Sequence, residues 1–345
     1  MLYVTTRTDR DAFTPLYAMT HDCSPDGGQF LPMQVPHFGE EELREMAGRS
    51  FNENAAQILS LLFRRSLTGW DLDLNIGKNP LQLDTLNSHT LLAKLRFNPE
   101  WSFEALTRRI FRLMEKDSDM EPGAWFTMSL RIALLFGIFG ELMARELVSA
   151  ENPMDVSVPS FDFQYPMAVW YAKQWGLPIG NIICCCNENN APWSLLHLGE
   201  MRTDTAVRET LTTACDQAVP NGLERLIAGT LGTEVLERYL KTAAQRRSFA
   251  LEASQLEQLR DGFWVSVVSQ RRMRFMIPNL CPTDGQMLDP YAIMSYAGLM
   301  DHRSQSGETG LALVISEEEP IHGAGILSRA MDISEAEVRC RLGQQ

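Results

Sequence analysis

The chain has 345 residues, 45% of them hydrophobic and 22% charged, which is enough for a sizeable core in one large or two smaller domains. Its net charge is -13, and its arginines cluster only in pairs such as Arg64-Arg65, Arg108-Arg109, Arg246-Arg247 and Arg271-Arg272, which argues against a nucleic-acid partner needing a row of cations. Met1 to Arg7 lacks the basic and long apolar stretches of a secretory signal, and no charge-free window reaches membrane-spanning length, so a cytoplasmic chain without a membrane partner is expected.

In chain order, Leu2 to Thr6 predicts a short strand and Pro25-Asp26-Gly27-Gly28 a turn. Apolar residues at helical spacing over 39–65 predict two helices broken near Gly48-Arg49-Ser50. Pro80 to Leu95 reads as strand, turn at Asn87-Ser88, and strand, and Phe103 to Lys116 as an amphipathic helix. Trp125 to Val148 is apolar but interrupted by Arg131, Glu141, Arg145 and Glu146, the pattern of a central buried helix. Asp155 to Pro159 predicts a buried strand, Tyr165 to Gly176 a helix stopped by Gly176-Leu177-Pro178, and Asn181 to Cys186 the next strand of a parallel crossover. Helices over 220–230 and 290–302, a helix and strand within 252–268, and a strand over 310–316 complete an α/β fold with a parallel sheet.

Seven cysteines, an odd number, do not suggest a disulfide framework. Cys184-Cys185-Cys186 in an extended segment would point to alternate faces, so these residues are expected to act as small buried hydrophobes, and no metal site is expected. Five of the 31 basic residues are lysines (Lys78, Lys94, Lys116, Lys173 and Lys241), so any lysine imine chemistry has five candidates.

Several motifs occur in an order that resembles the threonine synthase family of fold-type II pyridoxal-phosphate enzymes. Ser24-Pro25-Asp26-Gly27-Gly28-Gln29-Phe30-Leu31-Pro32 is similar to the family's A-P-D-G-G-L-Y-V-P. Ser157-Val158-Pro159-Ser160, Tyr171-Ala172-Lys173-Gln174-Trp175-Gly176-Leu177-Pro178 and Cys186-Asn187-Glu188-Asn189-Asn190 resemble S-V-P-S, Y-A-K-K-M-G-L-P and A-T-N-E-N. Val219 to Arg225 resembles P-S-N-F-E-R, and Asp289 to Ala297 resembles D-P-H-T-A-V-G-Y-A. The resemblance implies a threonine-synthase-like core, with ligand contacts at Asn98, Ser160, Asp162, Asn187 and Asn189.

The departures bear on function. The family's E-L-F-H-G-P-T-L-A-F-K-D segment aligns onto Lys94 to Ala105, which places Glu104 where the resemblance implies the cofactor lysine. A carboxylate cannot form an imine with an aldehyde. The family's phosphate-binding G-N-F-G-D becomes Phe161-Asp162-Phe163-Gln164-Tyr165, so side chains and an acid replace the glycines. Asp117 to Ala124 stands as a short linker where the family carries an inserted small domain, dividing the chain into 1–116, 117–124 and 125–345. Glu317-Glu318-Glu319 replaces the family's segment beside the cofactor ring and reads as a solvated turn.

The first reading is therefore a chain without pyridoxal phosphate, a pseudoenzyme of amino-acid metabolism that binds a protein partner or forms a homodimer. Trp101, Phe161, Phe163, Tyr165 and Trp193 are its candidate contacts, unless those aromatics simply fill the vacated pocket. The alternative is a repurposed enzyme for a small amino acid or phospho-acid, with Glu104 as general acid or base flanked by Arg96 and Asp162. A pyridoxal-phosphate-dependent threonine-synthase-type lyase is the third reading.

Overall fold

A computed structural model describes residues 1–8, 10–98, 102–117, 119–280 and 287–343. The N-terminal segment pairs strand β1 (Tyr3–Thr5) antiparallel with β2 (Phe30–Pro32), on either side of helix α1 (Pro15–Thr20). The intervening turn is held by Asp26, whose Oδ1 accepts the Gly28 amide at 2.9 Å, and Gly27 supplies the left-handed φ of 76° that a side chain resists. Helices α2 (Glu40–Ala47) and α3 (Phe51–Phe63) follow, then a single turn, α4 (Gly69–Leu72). The break between α2 and α3 falls at Ser50, which starts the second helix through a reciprocal cap with Glu53.

The hairpin β3 (Leu81–Asn87) and β4 (Thr90–Leu95) leads to α5 (Phe103–Met114), whose hydroxyl cap is Ser102. Next come α6 (Ala124–Ala144), β5 (Met154–Pro159), α7 (Gln164–Gln174) and β6 (Ile179–Cys186). A peripheral unit then contains α8 (Ala191–Trp193), β7 (Glu200–Arg202), α9 (Gly222–Leu231), α10 (Thr233–Arg246) and β8 (Ser248–Ala250), with β7 and β8 antiparallel. The chain returns to the sheet through α11 (Ala253–Arg260) and β9 (Phe263–Val267), and passes along α12 (Gln270–Leu280) and α13 (Pro290–Ser306) to β10 (Ala312–Ser316). Helices α14 (Ala324–Met331) and α15 (Glu335–Arg341) close the described chain.

Six strands form the main sheet in the order β3-β4-β10-β5-β6-β9, all parallel except the edge strand β3. Its central strands are buried on both faces, which is why they read as nearly continuous apolar runs rather than as alternation. One core lies on the α3, α6 and α7 side and the other on the α12, α13 and α14 side. Cys184 and Cys186 pack into the first core and Cys185 into the second, the alternate-face arrangement expected of an extended triplet. Burial pushes the Cys185 thiol up to about 12, in keeping with a small hydrophobe rather than a ligand.

Helix α6 is the one described helix long and apolar enough to cross a membrane, yet 83% of its most apolar window is buried against the rest of the protein. Its polar interior residues, Ser129 and Arg131, are buried too. Residues 115–123 connect α5 to α6, and Ala124, expected to end the linker, is the first residue of the helix.

Candidate functional site

In an open parallel sheet, ligand chemistry concentrates at the carboxyl ends of the strands, where several chain segments converge. Here that edge is built around a buried ion pair. Arg131, in the middle of α6, donates from Nε at 3.1 Å and Nη2 at 2.7 Å to the two oxygens of Glu317, just past the end of β10. The side chains are 10% and 6% exposed, and the fork-to-fork geometry satisfies both groups. Three rings surround the guanidinium, with their centroids 4.3 Å (Phe103), 5.0 Å (Tyr165) and 5.3 Å (Phe161) away.

The neighbouring acids have partners of their own. Glu318 accepts the Phe103 amide at 2.8 Å, satisfying one of the open donors at the start of α5, and lies 2.6 Å from His322 Nδ1. Burial pushes its pKa up against those two bonds. Glu319 pairs with Arg96 at 3.0 Å. The acidic triplet is therefore not the solvated turn expected from sequence, because each carboxylate faces a different, sequence-distant donor. Beside it, buried Asp289 caps α13 by accepting the amides of Tyr291 and Ala292 at 2.9 and 3.0 Å, and its second oxygen takes a short hydrogen bond from Ser316. Burial outweighs these bonds and raises the Asp289 pKa to about 6.

The turn between β5 and α7 carries the aromatic residues. Phe161, Asp162 and Phe163 all adopt left-handed backbone, with φ of 36°, 58° and 61°, where L side chains are strained and glycine is not. Neighbours over-determine the turn. Asp162 accepts Asn221 N at 2.7 Å and Asn221 Nδ2 at 3.0 Å, and Gly222 approaches so closely that a Cβ there would lie 2.7 Å from the Phe163 carbonyl carbon. Phe163 is fully buried and stacks on Phe263, while Phe161 stacks on Tyr165 and meets Tyr291 edge-on at 4.7 Å.

The sequence-derived candidates are therefore dispersed. Glu104 lies on the outer face of α5, 72% exposed, paired with Arg108 at 2.8 Å, and is not in a dry cleft. Arg96 is bound to Glu319 and Asp162 to Asn221, so neither flanks Glu104 as expected. Phe163 and Tyr165 are buried and not on an exposed docking patch, because the same turn that replaces the glycines folds them inward. Phe161 and Trp193 are half-buried. Trp101 lies outside the described residues. Ser160 is buried, its amide donating to Cys185 O at 2.9 Å, and the Asn98 amide donates to Leu74 O at 3.1 Å.

Asn187 and Asn189 come together in a buried polar network. Asn187 Nδ2 reaches Thr210 Oγ1 at 2.9 Å and Asp216 Oδ1 at 2.7 Å, and Asn189 Nδ2 donates to the Arg208 carbonyl at 2.8 Å. Of this network, Asn189 and Arg208 reach a cavity of about 660 Å³ between the end of β6 and the β7–β8 unit, which Arg202 and Arg246 also line. Thr210, Thr212 and Asp216 were missed in the sequence because only the loop returning past β6 brings them to the asparagines.

Comparison with known proteins places this architecture. Residues 2–78 match the family model of the threonine synthase N terminus. The chain is 26% identical over 160 residues to threonine synthase-like 1 of Pongo abelii and of Homo sapiens, a match covering 45% of this chain and 21% of each relative's length. The chain thus resembles threonine synthases in its N-terminal part and threonine synthase-like 1 over 160 residues. Its fold agrees: the pyridoxal-phosphate-bound threonine synthase of Brucella melitensis superposes with a TM-score of 0.80 at 16% identity, covering 100% of this chain and 95% of that one. The yeast threonine synthase gives 0.81 at 14% identity, covering 100% and 94%. The chain thus has the fold of these threonine synthases at identities that carry no residue roles with them, and its matched region spans about a fifth of its curated relatives.

Proposed function

We propose that this threonine synthase-like chain does not use pyridoxal phosphate and serves as a binding or regulatory subunit for a protein partner. The observation that carries the reading is the Arg131–Glu317 pair inside its box of Phe103, Phe161 and Tyr165, which fills the carboxyl edge of the sheet with protein charge and aromatic rings.

The residues present do not fit the cofactor. Lys94 is paired with Asp84 at 2.5 Å, Lys173 donates to the Gly180 carbonyl at 2.6 Å, and Lys78, Lys116 and Lys241 are exposed, so no lysine belongs to the Arg131 cluster. Where a phosphate would need close-approaching backbone amides, Phe161 and Phe163 present side chains and Asp162 a carboxylate. Repurposed catalysis through Glu104 has little support, since a carboxylate this exposed and ion-paired resembles an ordinary helix-surface acid.

The test is a titration of purified protein with pyridoxal phosphate, followed by its visible absorbance after removal of excess. The expected result is no retained imine band. A saturable, stoichiometric band would overturn the proposal.

A further inference from the structure

At the other end of the sheet, away from the Arg131 cluster, three residues from distant parts of the chain converge. Asp155 lies near the start of β5, His302 in the last turns of α13, and Glu308 in the loop leading from α13 to β10. Their ligating atoms all lie within 4.8 Å of one another. His302 is 3% exposed, so its imidazole is held almost entirely by protein, whereas Glu308 reaches in from the surface and leaves an entry path.

The spacing is compatible with a shared ion. His302 Nε2 stands 3.4 Å from Glu308 Oε2, whereas a charge-assisted bond between such groups closes to about 2.7–2.9 Å. Two donors each about 2.0–2.1 Å from a tetrahedral ion lie about 3.3–3.4 Å apart, so the 3.4 Å His302–Glu308 separation admits an ion, and the three groups, within 4.8 Å of one another, would close around it on binding. His302 Nδ1 has no hydrogen-bond partner among the described residues, so the ring's one polar contact is on the side of the two carboxylates.

The carboxylates are already oriented. Asn181 bridges them, its amide donating to Asp155 Oδ1 at 2.6 Å and its Nδ2 to Glu308 Oε2 at 3.0 Å. That leaves Asp155 Oδ2 and one further lone pair on Glu308 for a ligand, with the hydrogen-bonded outer support that metal-binding carboxylates usually have. The adjacent cation does not neutralise them by contact, because the Arg303 guanidinium is directed to Thr90 Oγ1 and to the carbonyls of His89 and Gly310, each at 2.7 Å.

We propose that Asp155, His302 and Glu308 bind a divalent transition-metal ion, with Zn²⁺ the best match to one imidazole and two carboxylates and with water in the fourth position. The ion would fasten the 307–311 loop to the base of β5. The site is independent of the proposed loss of pyridoxal phosphate.

The test uses the full chain, stripped with a chelator and with its exposed thiols, including Cys23 and Cys340, blocked by alkylation. Zn²⁺ is titrated calorimetrically, and Co²⁺ is used as a spectroscopic substitute while tryptophan emission is followed. Trp264, whose ring lies 4.8 Å from that of His302, should report the occupied site. The expected result is one ion per chain, a metal-dependent rise in melting temperature, quenching by Co²⁺, and affinity weakened at least about 100-fold in Glu308→Gln and His302→Gln. Glu308 is exposed, so its variant should fold even if that of the buried histidine does not. Absence of binding, or binding undiminished in Glu308→Gln, would overturn the proposal.

Discussion

Replacing Arg131 with methionine keeps much of the side chain's volume but leaves the Glu317 carboxylate, 6% exposed, facing aromatic rings without its counter-charge. Removing one partner of a buried pair costs about 3–5 kcal/mol, because the stranded charge has lost both water and its ion. With an unfolding entropy of roughly 2.1 cal/mol/K per residue, that loss lowers the melting temperature of a chain this long by about 4–7 °C. The double variant R131M/E317L removes both charges and should recover most of the loss, since apolar replacement of a whole buried pair is often neutral. Calorimetry and urea unfolding followed by tryptophan fluorescence would measure both variants and their coupling. A melting temperature for R131M within about 1 °C of the parent, or a double variant no more stable than R131M alone, would refute the filled-site reasoning.

Asp289 gives a pH test. Its folded pKa of about 6 exceeds the usual aspartate value, so the folded state holds the extra proton, and the contribution to stability is full below about pH 4 and lost as pH rises through 6. Asp289→Asn keeps the cap on α13 and should gain on the parent as pH rises, by up to about 3 kcal/mol above pH 7, with the gain gone below pH 4, as read from denaturation at several pH values. At Phe161, the left-handed backbone reverses the usual ranking of small residues: Phe161→Gly should be about 1 kcal/mol more stable than Phe161→Ala by urea midpoint. Glu104→Ala, which removes only an exposed helix-surface ion pair, should change stability by no more than about 0.5 kcal/mol; a larger loss would mean that Glu104 has a buried role.

The sequence carried the main sheet and its large helices because periodicity and punctuation agreed there. Ser50 with Glu53, Asn87-Ser88 and Gly176-Leu177-Pro178 each mark a boundary that local backbone chemistry sets. The peripheral unit was less legible. Helix α10 is mostly exposed, with only Leu236 and Tyr239 buried, so its apolar stripe is too thin to announce a helix, and the three-residue strands β7 and β8 depend on each other's edges. The departures from the threonine synthase motifs were legible in the sequence, but the geometry of the site was not. Glu317, Glu318 and Glu319 look like a solvated run until the topology brings Arg131, the Phe103 amide with His322, and Arg96 against them in turn. Phe163 and Tyr165 read as candidates for a surface because nothing in a linear alignment shows that the turn folds inward.

The most direct check is reductive trapping. The full chain is incubated with excess pyridoxal phosphate, dialysed, treated with borohydride, and analysed as intact protein and as peptides by mass spectrometry. The account predicts an unmodified mass after dialysis; a stoichiometric pyridoxyl adduct on one of the five lysines would contradict it.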